Sequence, residues 1–202
     1  CKISYNICMI VDIKSYDGNL LHNRFAYTFF KKRTLPIGNI ITFRGPMLVE
    51  ADGMIDHEDV LNNDFIYSDD AVNFLWEIPD LDTFGAVAWQ RLFNTGIANV
   101  LQNLIKAPIE VDGDDLIVHK EFTSGGIIQT KGKCSVSITH NKSGAALGHT
   151  GINVRAGDRA PSFAYSTNLT DEQVKIFQDT VIDMFYAMND DMFLATTKII
   201  SK

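Results

Sequence analysis

Three stretches between Asp112 and Arg155 alternate polar and apolar residues with the two-residue period of a β-strand. They cover 112–118, 131–139 and 148–154. In the middle stretch one face is polar or cationic, comprising Lys133, Ser135, Ser137 and Thr139, while the other carries Cys134, Val136 and Ile138. Such a polar face does not suit a hydrophobic core, so we expect it to face solvent or to form the floor of a pocket. The third stretch contains Gly148 and Gly151, which predict a close approach of the backbone to another group.

Two long helices are predicted on either side of this region. Asp82-Thr83 precedes a run of apolar residues spaced three and four apart, namely Trp89, Leu92, Phe93, Ile97, Val100, Leu101, Leu104 and Ile105. Thr170-Asp-Glu-Gln173 has the pattern of a capping box and opens the second long helix. Shorter helices are predicted over 20–32, 56–61 and 71–78.

Further strands are predicted over 3–13, 40–43, 47–49, 65–67 and 162–165. Strands follow one another instead of alternating strictly with helices. This order favours an α+β fold with a mostly antiparallel or mixed sheet and helices packed on one side. The length of 202 residues is consistent with a single α+β domain spanning residues 1–202.

Composition excludes several classes of function. A formal net charge of −7 argues against sequence-independent binding to nucleic acid. No apolar run has the length of a membrane span, so no membrane association is expected. The three cysteines have neither a disulfide framework nor the spacing of a zinc site, and a cytoplasmic location is expected. Cys134 is interpreted as a small core residue.

Short motifs in the central region resemble the catalytic domain of biotin and lipoate protein ligases. They are Asp114-Asp115-Leu116, Gly132-Lys133-Cys134-Ser135 and Gly151-Ile152-Asn153-Val154. Most of the chain is also similar to an uncharacterised prokaryotic family, domain of unknown function 366, through segments at 16–18, 43–47, 68–70 and 90–92. These resemblances imply the architecture shared by those ligases and the class II aminoacyl-tRNA synthetases.

The resemblance implies that Lys133 is the catalytic residue. In the ligases the corresponding lysine contacts the substrate carboxylate and the α-phosphate of ATP, where an ammonium stabilises the charge of the transition state. Lys131 is the alternative, because an offset of two residues keeps the same face of a strand. A further alternative is that Lys133 only protects the edge of a sheet from aggregation.

Other residues are candidates for the same site. Substrate or nucleotide contacts are assigned to Arg44, Gly45, Asp115, Ser135, His149, Gly151 and Asn153. Asp114 and Asp115 are candidate ligands for Mg²⁺, although Asp112-Gly113-Asp114 is also a normal hairpin turn. His149 has the alternative role of bonding a backbone carbonyl. Ser124-Gly-Gly126 is a candidate phosphate-binding turn.

Two functional hypotheses follow. The first is an enzyme that activates or transfers a small carboxylate, with ATP and Mg²⁺ as cofactors if an acyl adenylate is formed. The second is a non-catalytic module that binds a small molecule or nucleotide, because only Arg44-Gly45-Pro46 stands where the ligases have a glycine-rich loop. A homodimer is a third, mainly structural, alternative.

Overall fold

The computed structural model describes residues 9–22, 24–30, 38–62 and 65–200. An antiparallel sheet of four strands is the centre of the fold. The strands are β1 (Asn39–Val49), β2 (Ile66–Pro79), β8 (Ser135–Lys142) and β9 (Ala145–Arg155). Their order in the sheet is β1-β2-β9-β8, so β8 lies at an edge.

Along the chain, the strands of two smaller sheets lie between strand β8 and the long helix that follows β2. The first has the order β3-β4-β7, formed by Ile109–Asp112, Asp115–Val118 and Gly132–Lys133. The second is a hairpin of β5 (Phe122–Ser124) and β6 (Ile127–Gln129). Lys133 thus belongs to the three-stranded sheet, whereas Ser135 begins the edge strand of the larger one.

The long helices α3 (Thr83–Ile105) and α4 (Asp171–Thr197) pack against one face of the four-stranded sheet. Their contact with the sheet is rich in aromatic rings, since Trp89 of α3 meets both Trp76 of β2 and Phe185 of α4 edge to face. The short helices are α1 (Phe25–Phe30) and α2 (His57–Asn62). Helix α1 contributes to a smaller core on the opposite face, with Tyr16, Leu21, Phe25, Ile41, Phe43, Leu75 and Leu147.

The structure confirms the predicted fold class and the predicted N-terminal starts of both long helices. Asp82 caps α3 by accepting the backbone N–H of Gly85. Thr170 and Gln173 form the predicted capping box of α4. The predicted short helix over 56–61 is confirmed as α2, and the predicted strand over 148–154 is confirmed as part of β9. The predicted strand over 112–118 is instead the end of β3, a turn and β4, and the one over 131–139 is divided at Cys134 into β7 and the start of β8. The stripe on α3 is narrower than predicted, because Leu92 is half exposed.

The predicted strand over 65–67 is confirmed at Ile66 and Tyr67, which begin β2, but the predicted helix over 71–78 was wrong. Residues 71–78 continue the same strand, and all of them from Ala71 to Ile78 are buried. A central strand packed on both faces loses the polar–apolar alternation that identifies a strand in a sequence. Likewise, 40–43 and 47–49 are one strand, β1, with a bulge between Gly45 and Met47.

Three other segments differ from the predictions. Of the predicted strand over 3–13, residues 1–8 lie outside the described part of the chain, and residues 9–13 make only a bridge between Ile10 and Thr42. Of the predicted helix over 20–32, only Phe25–Phe30 are helical and form α1; residues 20–22 and Arg24, which has a φ of 66°, precede it, and residues 23, 31 and 32 lie outside the described part of the chain. The predicted strand over 162–165 is a loop joined to Lys133 through Ala164.

The four described segments contain no helix with both the length and the apolar character needed to cross a membrane.

Candidate functional site

A pocket of about 440 Å³ runs along the open edge of β8. Its polar lining comes from Asp56, Tyr67, Asp114, Asp115, Lys133, Ser135, Ser137 and Asn153, so that one ammonium group stands among three carboxylates. Its apolar lining comes mainly from Met54, Phe65, Ile66, Val136, Ile138 and Phe163. The volume is in the range of small-molecule sites, and the combination of an apolar wall with a few polar groups is typical of them.

Lys133 is held by its main chain on both sides. The residue pairs with Ile117 of β4, its N–H donates to the carbonyl of Phe163 at 2.9 Å, and its carbonyl accepts the N–H of Tyr165 at 2.8 Å. The side chain is one-third exposed, and Nζ lies 2.7 Å from Oδ1 of Asp115. The ammonium group therefore has a defined position in the polar part of the pocket lining.

The structure separates the two lysines that the sequence left as alternatives. Lys131 is exposed and lies outside the pocket lining, whereas Lys133 lines the pocket. The turn between β3 and β4 places Asp114 in the lining as well, with its Oδ1 3.6 Å from Nη2 of Arg91. Within the described ranges, no group of three or more His, Cys, Asp or Glu side chains is arranged to hold a metal ion.

Ser135 and Ser137 connect the edge strand to its neighbours. Oγ of Ser135 accepts the backbone N–H of Leu116 at 2.8 Å. Oγ of Ser137 accepts hydrogen bonds from the side-chain amides of Gln90 at 2.9 Å and Asn94 at 3.0 Å. These two α3 residues were not identified from the sequence as part of the site. The available signal was two amide side chains, four residues apart, on the apolar stripe of a helix.

Asn153 lines the pocket and also carries a buried polar atom without a partner. Its main-chain N–H donates to the carbonyl of Cys134 at 2.8 Å, and its carbonyl accepts the hydroxyl of Thr167 at 2.7 Å. The residue is only 4% exposed. Among the residues described by the structure, its side-chain Oδ1 has no hydrogen-bond partner, and a buried acceptor without a donor is costly.

His149 lies on β9, opposite Ile138 of the edge strand, and outside the lining of the pocket. Its ring stacks on Tyr16 with centroids 3.6 Å apart, and Nε2 lies 2.9 Å from Oδ1 of Asn73. The partner is thus a side-chain carbonyl, and not the backbone carbonyl that was the alternative from the sequence. Burial lowers the pKa of His149 to about 3, so the imidazole is neutral at pH 7. It lines a cavity of about 30 Å³ that shares several residues with the pocket.

Arg44 and Gly45 lie outside the pocket lining. The guanidinium of Arg44 binds both carboxylate oxygens of Asp70, with Nη2–Oδ2 at 2.7 Å, and its Nη1 lies 2.6 Å from Oδ1 of Asp171. These carboxylates raise the pKa of Arg44. Gly45 lets the backbone at Lys14 pass close to β1, because a Cβ atom at this position would lie 2.7 Å from the carbonyl oxygen of Lys14.

The two glycines of β9 accept large side chains against the backbone, as the sequence predicted. A Cβ atom on Gly151 would lie 2.4 Å from Sδ of Met47, and one on Gly148 would lie 2.1 Å from ring atoms of Trp76. Gly151 therefore has a packing role outside the pocket lining. Cys134 is fully buried, and this burial raises the pKa of its thiol to about 12, as suits a core residue.

A larger and more polar pocket, of about 850 Å³, adjoins the first across the 161–164 segment. Its lining includes Ser124 and Gly125 of the candidate phosphate-binding turn, together with Lys120 and Asp158. The two pockets share Pro161 and Ala164. The structure thus places the glycine turn beside a space that is separate from the Lys133 pocket but next to it.

Solved structures with the same architecture include ligases. The protein superposes on P. falciparum LipL1 in complex with lipoate with a TM-score of 0.51, at 15% identity, covering 89% of this chain and 62% of that chain. It superposes on a point mutant of biotin protein ligase from Aquifex aeolicus, in complex with biotin, with a TM-score of 0.51, at 9% identity, covering 91% of this chain and 70% of that chain. At these identities the likeness establishes the fold of the ligase catalytic domain.

A stronger structural match is a protein of unknown function from Pyrococcus horikoshi, with a TM-score of 0.77, 22% identity, and coverage of 96% of this chain and 97% of that one. Curated protein sequences give no significant match. The sequence model of the family described as "Domain of unknown function (DUF366)" matches residues 6–200. The chain therefore belongs to this family, whose fold here is distantly similar to the catalytic domain of biotin and lipoate protein ligases.

Proposed function

We propose that this protein binds a small amphipathic carboxylate in the pocket along β8. The observation that carries the proposal is the position of Lys133, whose ammonium stands in the lining of a pocket that also has an apolar wall. The carboxylate would bind at Lys133 as a charge-assisted hydrogen bond. The apolar part of the ligand would lie against Val136, Ile138 and Phe65.

Activation of this carboxylate is the reaction that the site supports best. When a carboxylate attacks a phosphorus atom, negative charge accumulates between the two groups, and a positioned ammonium stabilises it. Lys133 has the required positioning, because its backbone is bonded to Phe163 and Tyr165. Ligases of the same architecture hold lipoate and biotin, which are carboxylates with largely apolar bodies. ATP would be the second substrate, with Mg²⁺ neutralising its phosphates.

Binding without catalysis is the second candidate, and the environment of Arg44 favours it. Its guanidinium is already bound to the carboxylates of Asp70 and Asp171. Contact with a nucleotide phosphate would require breaking these ion pairs. Under this alternative the pocket retains its carboxylate ligand, but no adenylate is formed.

Calorimetry and pyrophosphate exchange together test the proposal. We expect octanoate or lipoate to bind to the wild-type protein, and the Lys133→Ala variant to lose at least tenfold in affinity, since a charge-assisted hydrogen bond contributes roughly 1.5–3 kcal/mol. The matched control is Lys131→Ala, which removes an exposed ammonium two residues away and should leave binding unchanged.

Exchange of labelled pyrophosphate into ATP separates the two candidates. An exchange signal that depends on the carboxylate and disappears in Lys133→Ala supports the enzyme. Binding without any exchange supports the non-catalytic module. If neither acid binds at millimolar concentration, or if Lys131→Ala has the same effect as Lys133→Ala, the proposal is wrong.

A further inference from the structure

The hydrogen bonds around Asn73 determine which nitrogen of His149 carries the proton. The side-chain amide nitrogen of Asn73 lies 3.3 Å from the carbonyl oxygen of Ala71 and 3.4 Å from that of Gly45. Its Oδ1 therefore faces Nε2 of His149 at 2.9 Å. Because a carbonyl oxygen only accepts, Nε2 must donate, and Nδ1 of the neutral ring is left with a free lone pair.

This lone pair has no donor in the described part of the chain. Nδ1 is buried and unpartnered, and His149 as a whole is 1% exposed. The stacked ring of Tyr16 covers one face of the imidazole. Burial keeps the pKa of the ring at about 3, so protonation at neutral pH does not relieve the unpaired acceptor. A buried acceptor in this state gains free energy from any donor that reaches it.

The cavity beside His149 adjoins the carboxylate pocket. It has a volume of about 30 Å³, which is enough for one water-sized group. Both spaces are lined by Met54, Asp56, Ile66, Val136 and Ile138. A group that enters this cavity from the pocket therefore passes along four apolar side chains and the carboxylate of Asp56, and ends next to a ring with an unsatisfied acceptor.

The course of the chain limits the separation between the two polar ends. His149 is paired with Ile138 on β8, and Ile138 lies five residues after Lys133, which ends β7. Five fully extended residues span at most roughly 16 Å between backbone positions. A ligand that reaches both ends would thus need a chain of medium length, with an apolar body and a polar group at each end.

We propose that His149 determines the specificity of the pocket, because its Nδ1 accepts a hydrogen bond from a hydroxyl or N–H group at the far end of the bound carboxylate. This inference rests on the proposed function, since Lys133 must hold the carboxylate. The preferred ligand class is then an ω-hydroxy or ω-amide acid, and a plain fatty acid is a weaker ligand. An acid whose hydroxyl is buried without a hydrogen-bond partner binds less tightly. The acceptor on His149 therefore decides whether the ω-hydroxy acid or the plain acid is the tighter ligand.

Calorimetry with matched pairs of acids tests this inference. The probes are octanoate, decanoate and dodecanoate, each compared with its ω-hydroxy counterpart. For at least one chain length, we expect the wild-type protein to bind the ω-hydroxy acid roughly fivefold more tightly. In His149→Phe the ring stacks on Tyr16 but accepts no hydrogen bond, so the preference should reverse in favour of the plain acid.

A second variant keeps His149 in place. Ile55→Phe enlarges a side chain that lines the cavity but not the pocket, and should abolish the preference while octanoate still binds. Equal affinities for both acids at every chain length, with binding still dependent on Lys133, would overturn the inference and leave the proposed function intact. A preference that survives in His149→Phe and Ile55→Phe would overturn it as well. If no acid of either series binds, both proposals are wrong.

Discussion

Oδ1 of Asp115 lies 2.7 Å from Nζ of Lys133, and the two side chains are 34% and 33% exposed. The pair forms across the β4–β7 ladder, where Lys133 is opposite Ile117 and Asp115 is its diagonal neighbour. Because both groups remain in contact with water, the pair adds little to stability, about 1 kcal/mol at most. The pair holds the ammonium of Lys133 beside Asp115, and under the proposed function a bound anion would share this ammonium with Asp115.

The first prediction concerns this shared ammonium. Asp115→Asn keeps the shape of the side chain and removes its charge, so a bound carboxylate no longer competes with a second anion. We expect the affinity for octanoate to rise about threefold or more, and the gain to shrink as salt is added. Calorimetry at low and high ionic strength measures both effects. Asp112→Asn, on the exposed end of the same hairpin, is the control. Weaker binding by Asp115→Asn would contradict the prediction.

The second prediction concerns the ion pairs of Arg44. Asp70 is 11% exposed in its side chain, whereas Asp171 is 95% exposed. Arg44→Ala leaves the buried carboxylate of Asp70 without its partner and should lower the free energy of unfolding by about 3 kcal/mol. Asp171→Ala removes only an exposed ion pair and should cost about 1 kcal/mol or less. Urea denaturation compares the two variants. Equal losses of unfolding free energy would show that the Asp70 ion pair stabilises the fold no more than the exposed Asp171 pair.

The third prediction is a pH dependence due to His149. Its pKa is about 3 in the folded protein, well below the ordinary histidine value of 6.5 that applies to the unfolded chain. Between these pH values the unfolded state binds one more proton, so stability rises with pH across the window and is fully present above pH 6.5. The expected contribution is a slope of about 1.4 kcal/mol per pH unit.

Denaturation curves recorded from pH 4 to pH 7 test this slope. His149→Phe should remove the contribution and flatten the curve between the two pKa values. His57→Gln changes an exposed histidine and serves as the control. An unchanged slope in His149→Phe would mean that another group is responsible for the dependence.

The fourth prediction compares the two glycines of β9. A methyl group on Gly148 would lie 2.1 Å from ring atoms of Trp76, while one on Gly151 would lie 2.4 Å from the flexible thioether of Met47. The indole is packed against Trp89 and has little freedom to move. We expect Gly148→Ala to cost about 3 kcal/mol of unfolding free energy and Gly151→Ala about 1 kcal/mol. Thermal and urea denaturation measure both, and the reverse order would contradict the packing argument.

Local signals in the sequence were sufficient for the elements with one clearly buried side. Helices α3 and α4 were predicted from their caps at Asp82 and Thr170 and from apolar residues at helical spacing. Residues 71–78 of β2 were wrongly predicted to be helical. They are buried on both faces of the sheet, so their sequence lacks the alternation of polar and apolar residues that identifies a strand. The bulge that joins the two halves of β1 at Gly45 depends on pairing with β2, which no local pattern encodes.

The candidate site shows the same division. Lys133 and Asp115 stand in short motifs, and the structure places both in the lining of one pocket. Gln90 and Asn94 were not identified, because their hydrogen bonds to Ser137 span 47 and 43 residues. Arg44, Gly45 and Gly151, which the motifs suggested, lie outside this lining.

The sequence by itself determined the α+β class and the two long helices, because caps and periodicity act between residues close in the chain. Tertiary structure alone decided that Lys133 and not Lys131 faces the pocket, and that Nδ1 of His149 is left without a donor among the residues described. Both outcomes depend on contacts between residues far apart in sequence, through Asn73 for His149 and through Phe163 and Asp115 for Lys133.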